Sequence, residues 1–535
     1  MARSSSSTWW KHAVFYQIYP LSFADSNGDS YGDLEGIITK LDYLAGTLGI
    51  DGIWLSPFYR SPMKDWGYDV SDHTDVDPIF GDLEDAKQLI AEAHQRDVRV
   101  IVDYVMNHTS DQHPWFQASK SSRDDPKRDW YVWRDSRDGG PPNNWVSVFS
   151  GPAWSFDETT GQWYRHTYLS EQPDLNWRNP EVVEAMFDVL RHWLDLGVDG
   201  FRVDAAHQMM KDPEERDNPP TPTDYPRPYK DMGEYDAFVH LYDFGHPDVH
   251  EIHRQMRAVV DEYDRDVLTV SEVHIFDLPE WASYYGENFD QLSMPFNFQL
   301  MTAEWNVPTL RATIEAVLWN VPVGGWTNWT LGNHDEIRLA TRLPQGHERL
   351  AALLLLTLRG TPFLYYGDEL GMRQVSVPAD RSRDPWGHSV EWLSRDGART
   401  PMQWTSGPHA GFNPAGVEPW LPVGADWKDI NVESEIIEPK STLNLYRDLI
   451  RLRKEHGALR VGSFLSHPSS TEDVFAYRRE SDSDTITVVL NFSDEERAIE
   501  VGTGEIVFST IDVGRRGRCH NLVTVAPLEG IVISH

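Results

Sequence analysis

Eight short β-branched or aromatic runs, separated by stretches of helical periodicity, constrain this 535-residue chain more than any other feature. They read AVFYQIYP, IDGIWLSP, VRVIVDYV, VDGFRVDA, VLTVSEV, LSMPFN, TNWTLGNHD and TPFLYYGDE. Near-continuous apolar runs alternating with amphipathic helices are the pattern of a parallel sheet covered by helices, and eight of them predict a (β/α)8 TIM barrel. The helices are legible too: LEDAKQLIAEAHQRD sets Leu83, Ala86, Ile90 and Ala93 at helical spacing. An open doubly wound sheet is the competing architecture. Polar residues recur at the ends of the runs, as a single rim carrying one site requires, and this favours the closed barrel.

The chain is too long for one core, so accessory units are expected. Residues 104–176, rich in Trp, Pro, Gly and Asp (HPWFQ, RDWYVW, DGGPPNNW, GPAWSF), are too many for a loop without structure and predict a small domain inserted after the third strand. The barrel then takes residues 1–103 and 177–461. A proline-rich stretch after the fourth run, DPEERDNPPTPTDYPRP, predicts an ordered cover or a flexible lid. Alternating segments such as VFAYRR and TITVVLNF predict a C-terminal antiparallel β-sandwich over residues 462–535, while the opening MARSSSS is expected to be disordered.

Composition limits the partners. A net charge of −36 disfavours nucleic acid and anionic membrane surfaces, both polyanions that proteins grip with Lys and Arg. The longest aliphatic stretch, Leu353 to Leu356, is far short of the ~20 residues a bilayer span needs. The single cysteine, Cys519, leaves no intrachain disulfide and fits a reducing compartment. A cytoplasmic monomer or homodimer without nucleic-acid or membrane partners is the expectation.

Three of the runs end in acids: GFRVDAAH delivers Asp204, VLTVSEVH Glu272, and TNWTLGNHDE Asp335. Barrel strands present such side chains at their C-terminal mouth, and three converging carboxylates point to chemistry on a glycosidic bond. Retaining chemistry needs one carboxylate to attack the anomeric carbon and one carboxylic acid to protonate the leaving oxygen, ~5–5.5 Å apart. Asp204 and Glu272 end neighbouring strands and can meet; Asp335 lies across the rim. Arg202, on the same strand face as Asp204, is expected to keep that acid ionised, whereas Glu272 needs surroundings that raise its pKa.

A separate loop, ADSNGDSYGDLEG, sets Asp25, Asn27, Asp29 and Asp33, with a backbone carbonyl near Tyr31, at alternate positions around a glycine turn. Such spacing resembles an EF-hand loop without its twelfth-position glutamate or its helix pair; an Asx-turn loop with no ion is the alternative.

Four motifs in order, DYVMNH (Asp103 to His108), GFRVDAAH, EVH (Glu272 to His274) and NHD (Asn333 to Asp335), with QPDLN (Gln172 to Asn176) as a fifth, resemble those of the α-amylase superfamily of glycoside hydrolases, family 13. The resemblance covers nearly the whole chain and is greatest to the oligo-1,6-glucosidase and α-glucosidase branch. It implies Asp204 as nucleophile, Glu272 as general acid/base and Asp335 as the residue that holds sugar hydroxyls and stabilises the transition state. It further implies that His108 and His334 bond the terminal sugar, and that Asp65 of DWGYDV pairs with Arg399 of RTPMQW to close a pocket around one glucose. Tyr68 and Phe149 become stacking faces, and Asp25, Asn27, Asp29, Tyr31 and Asp33 hold a structural Ca²⁺ or Mg²⁺, with no organic cofactor. In that branch valine after the nucleophile accompanies α-1,6 cleavage; this chain has Ala205, which implies α-1,4 preference. The expected activity is that of an exo-acting retaining α-glucosidase on maltose-like or sucrose-like molecules, with transglucosylation open to it. Trehalose synthase or sucrose isomerase is the alternative, and a non-catalytic barrel serving as an interaction protein a remote one.

Overall fold

The computed structural model describes residues 8–225 and 230–535. All eight runs form strands: β1 Phe15–Ile18, β2 Gly52–Leu55, β3 Arg99–Val105, β4 Gly200–Asp204, β5 Leu268–Ser271, β6 Met294–Pro295, β7 Asn328–Thr330 and β8 Thr361–Tyr365. They pair in parallel in the order β6-β5-β4-β3-β2-β1-β8-β7. Pairing of β1 with β8 is what a doubly wound sheet lacks, and it curls the sheet into a barrel. The remaining seam, β6 to β7, is closed by a side chain. Asn328 accepts from the Asn297 N–H at 3.0 Å and donates to the Pro295 carbonyl at 2.8 Å, supplying bonds where Pro295 has no N–H to offer.

Strand periodicity sorts the side chains. Phe15, Trp54, Ile101, Leu268 and Val270 form one buried cluster inside the barrel, while Tyr16, Ile53, Val100, Val102, Phe201 and Val203 belong to the larger core against the surrounding helices. Two positions beyond the inner apolar residues stand Gln17, Ser56, Asp103 and Glu272, all buried. Because residues i and i+2 share a strand face, one inward row changes from apolar at the floor to polar at the mouth. Gly200 is required where β4 meets β5, since a Cβ there would lie 2.3 Å from the Leu268 carbonyl oxygen. The helix Leu83–Gln95 is capped by a reciprocal Asp82 and Asp85 box and buries Ala86, Leu89, Ile90 and Ala93, with Leu83 partly buried.

The segment after β3 carries its own three-stranded antiparallel sheet, Trp133–Arg134, Gln162–Arg165 and Trp154–Asp157. It is anchored back to the barrel where His108 bridges Asp174. The proline-rich segment after β4 is an ordered cover over its described part. Asn218 and Asn144 exchange two bonds of 2.8 Å, and Trp145 donates its indole N–H to the Arg216 carbonyl at 2.9 Å. Residues 226–228 of that segment and the MARSSSS opening lie outside the described residues.

At the C-terminus the strands Ser463–Ser466, Val474–Ser481, Asp484–Asn491, Arg497–Ser509, Gly517–Val525 and Gly530–Ser534 pair in one continuous antiparallel order. They bury residues on both faces: Phe475, Tyr477, Ile486 and Val488 join the core of the barrel helices, while Val474, Ala476, Val489, Ile499, Val523 and Ile533 belong to a separate core within the C-terminal strands. Arg479 donates to the Thr357 carbonyl. Among the described residues no helix is long and apolar enough to cross a membrane.

Candidate active site

At the C-terminal ends of the strands lies a cavity of about 780 Å³ whose lining includes Asp204, Glu272 and Asp335 together with Asp65, Tyr68, His108, Phe149 and His334. The chain thus brings eight of the residues singled out in its sequence to one place. Arg202 and Arg399 stand behind that surface, 2% and 1% exposed, and act on it through their neighbours.

One guanidinium organises the acids. Arg202 donates to Asp204 at 2.5 Å and to Asp103 at 2.7 Å from one terminal nitrogen, and to Glu272 at 2.9 Å from the other. Asp103, not foreseen as a site residue, also accepts from the Trp54 indole at 2.9 Å and from the Tyr68 hydroxyl at 3.3 Å. Three buried carboxylates around one cation leave excess negative charge, which disfavours ionisation of all three together. Burial raises Asp204 well above the ordinary carboxylate range, and the charges of Glu272 and Asp103 add to this against the pull of Arg202. Glu272 is also buried, but Arg202, His274 and the Ala205 N–H outweigh that and hold it well below its usual value. Its two oxygens take these donors at 2.9, 2.8 and 3.0 Å. In this geometry the surroundings favour the ionised form more at Glu272 than at Asp204, whereas the sequence led to the opposite expectation. The reason is that Arg202 reaches both acids while His274 and a backbone N–H reach only Glu272.

Ala205 explains that N–H. It has φ +45°, a left-handed turn directly after β4, and it is fully buried. The turn points its N–H at Glu272, so Ala205 acts on the cavity through this contact.

Asp335 accepts from Arg399 at 2.8 Å and from Arg395 at 3.4 Å, and its other oxygen lies 3.3 Å from the His334 ring. Burial would raise this acid, but His334, Arg399 and Arg395 together hold it well below the usual range. His334 is pushed down to about 3 by burial and is neutral. It is held between Gln17 at 2.7 Å and the Tyr68 hydroxyl at 2.6 Å, with the Tyr68 ring stacked on it. His108, likewise lowered by burial, contacts the Tyr68 carbonyl and Gln172. Phe149 packs on Trp386 and lies under the Arg395 guanidinium.

The pairing expected between Asp65 and Arg399 is made by Arg395 instead. Arg395 bonds Asp65 at 2.7 Å and Asp384 at 2.6 Å, and Gln172 donates to the second oxygen of Asp65 at 3.2 Å. Arg399 is committed to Asp335 and the His334 carbonyl. Nothing local in the sequence marks Arg395, which lies in irregular chain 330 positions from its partner. Asp103, Gln172 and His274 do lie within quoted motifs, so their position beside the acids was a signal available to find them.

The proposed metal loop is folded on itself. Asp25 accepts from Gly28 and Ser30, Asn27 from Asp29, and Asp29 from Tyr31, all through backbone N–H groups. Asp33 caps the helix Leu34–Thr39 and accepts from Ser26. The donors are all oxygen, as a hard cation prefers, yet the described residues form no group of three or more His, Cys, Asp or Glu able to hold an ion.

Comparison with known proteins agrees with this geometry. Residues 17–462 match the model of the alpha amylase catalytic domain. The chain is 41% identical over 505 residues, 92% of its length and 91% of the relative's, to a probable alpha-glucosidase of Rhizobium meliloti (strain 1021). Among solved structures it is similar to the alpha-glucosyl transfer enzyme XgtA, with 38% identity, TM-score 0.91 and coverage of 98% and 99%. It is also similar to a trehalulose synthase, with 36% identity, TM-score 0.90 and coverage of 98% and 100%.

Proposed function

The chain belongs to the alpha-amylase family of glycoside hydrolases, and within it we propose an exo-acting, retaining α-glucosidase that removes the terminal glucose of small α-glucosides. The carrying observation is the buried Asp65 and Arg395 pair beside Asp335 in the cavity lining, which supports a pocket closed around a single terminal residue. Asp204 attacks the anomeric carbon while Glu272 protonates the departing oxygen; water activated by Glu272 then releases glucose with retention. As substrate enters, the glycosidic oxygen replaces a donor at Glu272, which favours the protonated form of that acid. Arg202, left beside Asp204, favours the ionised nucleophile at that moment. Asp335, kept anionic, and neutral His334 and His108 bond the hydroxyls of the bound glucose, and Tyr68 and Phe149 pack its apolar faces.

Preference for α-1,4 bonds is proposed on the resemblance, since Ala205 stands where the α-1,6-acting members carry valine. NMR of the first product from maltose tests the whole reading: α-glucose supports it, β-glucose excludes retention, and faster release from isomaltose excludes the α-1,4 preference. Conversion of sucrose to an isomeric disaccharide would favour the isomerase alternative, which the likeness to a trehalulose synthase keeps in view.

For the Asp25 to Asp33 loop, a structural Ca²⁺ or Mg²⁺ is proposed on its all-oxygen donor set. Binding requires Asp25, Asn27 and Asp29 to exchange loop N–H groups for the cation, and no step of the reaction passes through it.

A further inference from the structure

The loop that carries Asp65 and Tyr68 into the cavity is the tip of a two-stranded ribbon, in which Tyr59–Arg60 pairs with Asp72–Val76. Three of its residues are left-handed: Met63, Trp66 and Gly67, at φ +59°, +49° and +111°. For Met63 and Trp66 such backbone is costly and persists only where the surroundings enforce it.

Asp69 lies at the centre of this turn, with its side chain fully buried. One of its oxygens accepts from the Asp65 N–H and the Ser61 hydroxyl, both at 2.9 Å, and the other accepts from the Lys64 N–H at 2.9 Å. Ser61 in turn accepts from the Met63 N–H at 3.0 Å. The chain from Ser61 to Asp65 is thus wrapped around one carboxylate. Both arms of that side chain must accept, as an ionised aspartate does, whereas asparagine would turn an NH₂ against an N–H. Burial pushes Asp69 up to about 7 against the pull of these donors, so it is ionised at pH 8.

The residues held by this turn reach two parts of the site. Asp65 bonds Arg395 at 2.7 Å, and the Tyr68 hydroxyl bonds the His334 ring at 2.6 Å. Asp69 itself stands behind the cavity lining.

We infer that Asp69 is a positioning residue of the pocket for the terminal sugar: by holding the loop it sets where Asp65 and Tyr68 stand, and through them the affinity for that sugar, while taking no part in attack or proton transfer. The inference rests on the reading of Asp65 as a ligand of the terminal glucose and names the group that places it.

Steady-state kinetics on maltose at pH 8 test it, with Asp69→Asn, Asp65→Ala and the double variant. Asp69→Asn is expected to raise KM about tenfold, the scale of one charge-assisted bond, and to leave kcat within about threefold of the parent. In the Asp65→Ala background the same change should raise KM by about threefold at most, because most of its effect passes through Asp65. A fault independent of Asp65 would multiply KM by the same factor in both backgrounds. Ser61→Ala removes one donor and keeps the carboxylate, so it serves even if Asp69→Asn fails to fold; a KM raised about threefold at unchanged kcat is expected. A loss confined to kcat, a parental KM in Ser61→Ala, or the full tenfold effect in both backgrounds overturns the inference. If Asp65→Ala keeps the parent's KM, the reading of Asp65 itself falls, and the inference with it.

Discussion

Asp65 and Arg395 stand 330 positions apart in the chain and form a buried ion pair of 2.7 Å in the cavity lining. Arg395 also reaches Asp335 at 3.4 Å and shares that acid with Arg399, so two arginines with different first partners support one wall. Arg395→Gln removes charge-assisted bonds to Asp65, Asp335 and Asp384 and is expected to lower kcat/KM for maltose by roughly 10–100-fold, mostly through KM. Steady-state kinetics decide it, and an unchanged KM would sink the assignment of the pair to the terminal glucose.

Glu272→Gln leaves the hydrogen-bond acceptors of that side chain partly in place but removes its proton transfer. A fall in kcat of about 10²–10⁴-fold on maltose is expected, with a much smaller loss for the first step on an aryl glucoside whose leaving group needs no proton. Burst kinetics on the aryl substrate make the comparison. Equal losses on both substrates would count against Glu272 as the acid.

The share of stability carried by two buried acids should fall as pH rises through neutrality. Burial pushes Asp368 and Glu435 up to about 7, well above their unfolded values of about 4. Between these limits the folded protein keeps protons that the unfolded chain releases, so their contribution is complete below about pH 4 and lost as pH climbs through about 7. Asp335 and Asp174 act oppositely: their depressed values add stability above about pH 4 that disappears in acid. Buried His73, His207, His253 and His334, pushed down to about 4, 3, 3 and 3, oppose the two raised acids, because the unfolded chain takes up their protons below about 6.5. Asp368→Asn removes one acid's share, so its Tm relative to the parent is expected to rise between pH 5.5 and pH 8; an unchanged difference would contradict the account.

At the barrel seam, Asn328→Leu strands the Asn297 N–H and the Pro295 carbonyl, each worth about 1–3 kcal/mol when buried unpaired. A Tm lowered by several degrees, read by calorimetry, is the expected result. Retention of the parent Tm would mean that the seam holds without this amide.

Chelation should lower Tm, and added Ca²⁺ should restore it, if the Asp25 to Asp33 loop carries an ion. Asp29→Ala, at an exposed position, should abolish the response. No shift in the parent would favour the Asx-turn alternative for this loop.

The sequence by itself determined the barrel, because eight apolar runs each long enough to cross a core and each ending in polar residues admit few other solutions. It also determined the acids: Glu272 stands two places beyond the inward Val270, and Asp204 and Asp335 lie in the motifs at the end of β4 and after β7. Tertiary structure alone decided which arginine serves which acid, because Arg395 comes from irregular chain whose path no local period fixes. It decided which acid its surroundings favour in the ionised form, through the left-handed turn at Ala205 aiming an N–H at Glu272 and through His274 reaching the same carboxylate. It also divided the C-terminal strands between two cores, one shared with the barrel helices and one of their own. Local pattern specifies the elements and their inward faces; pairings between distant segments, and the charges they stabilise, exist only once those faces meet.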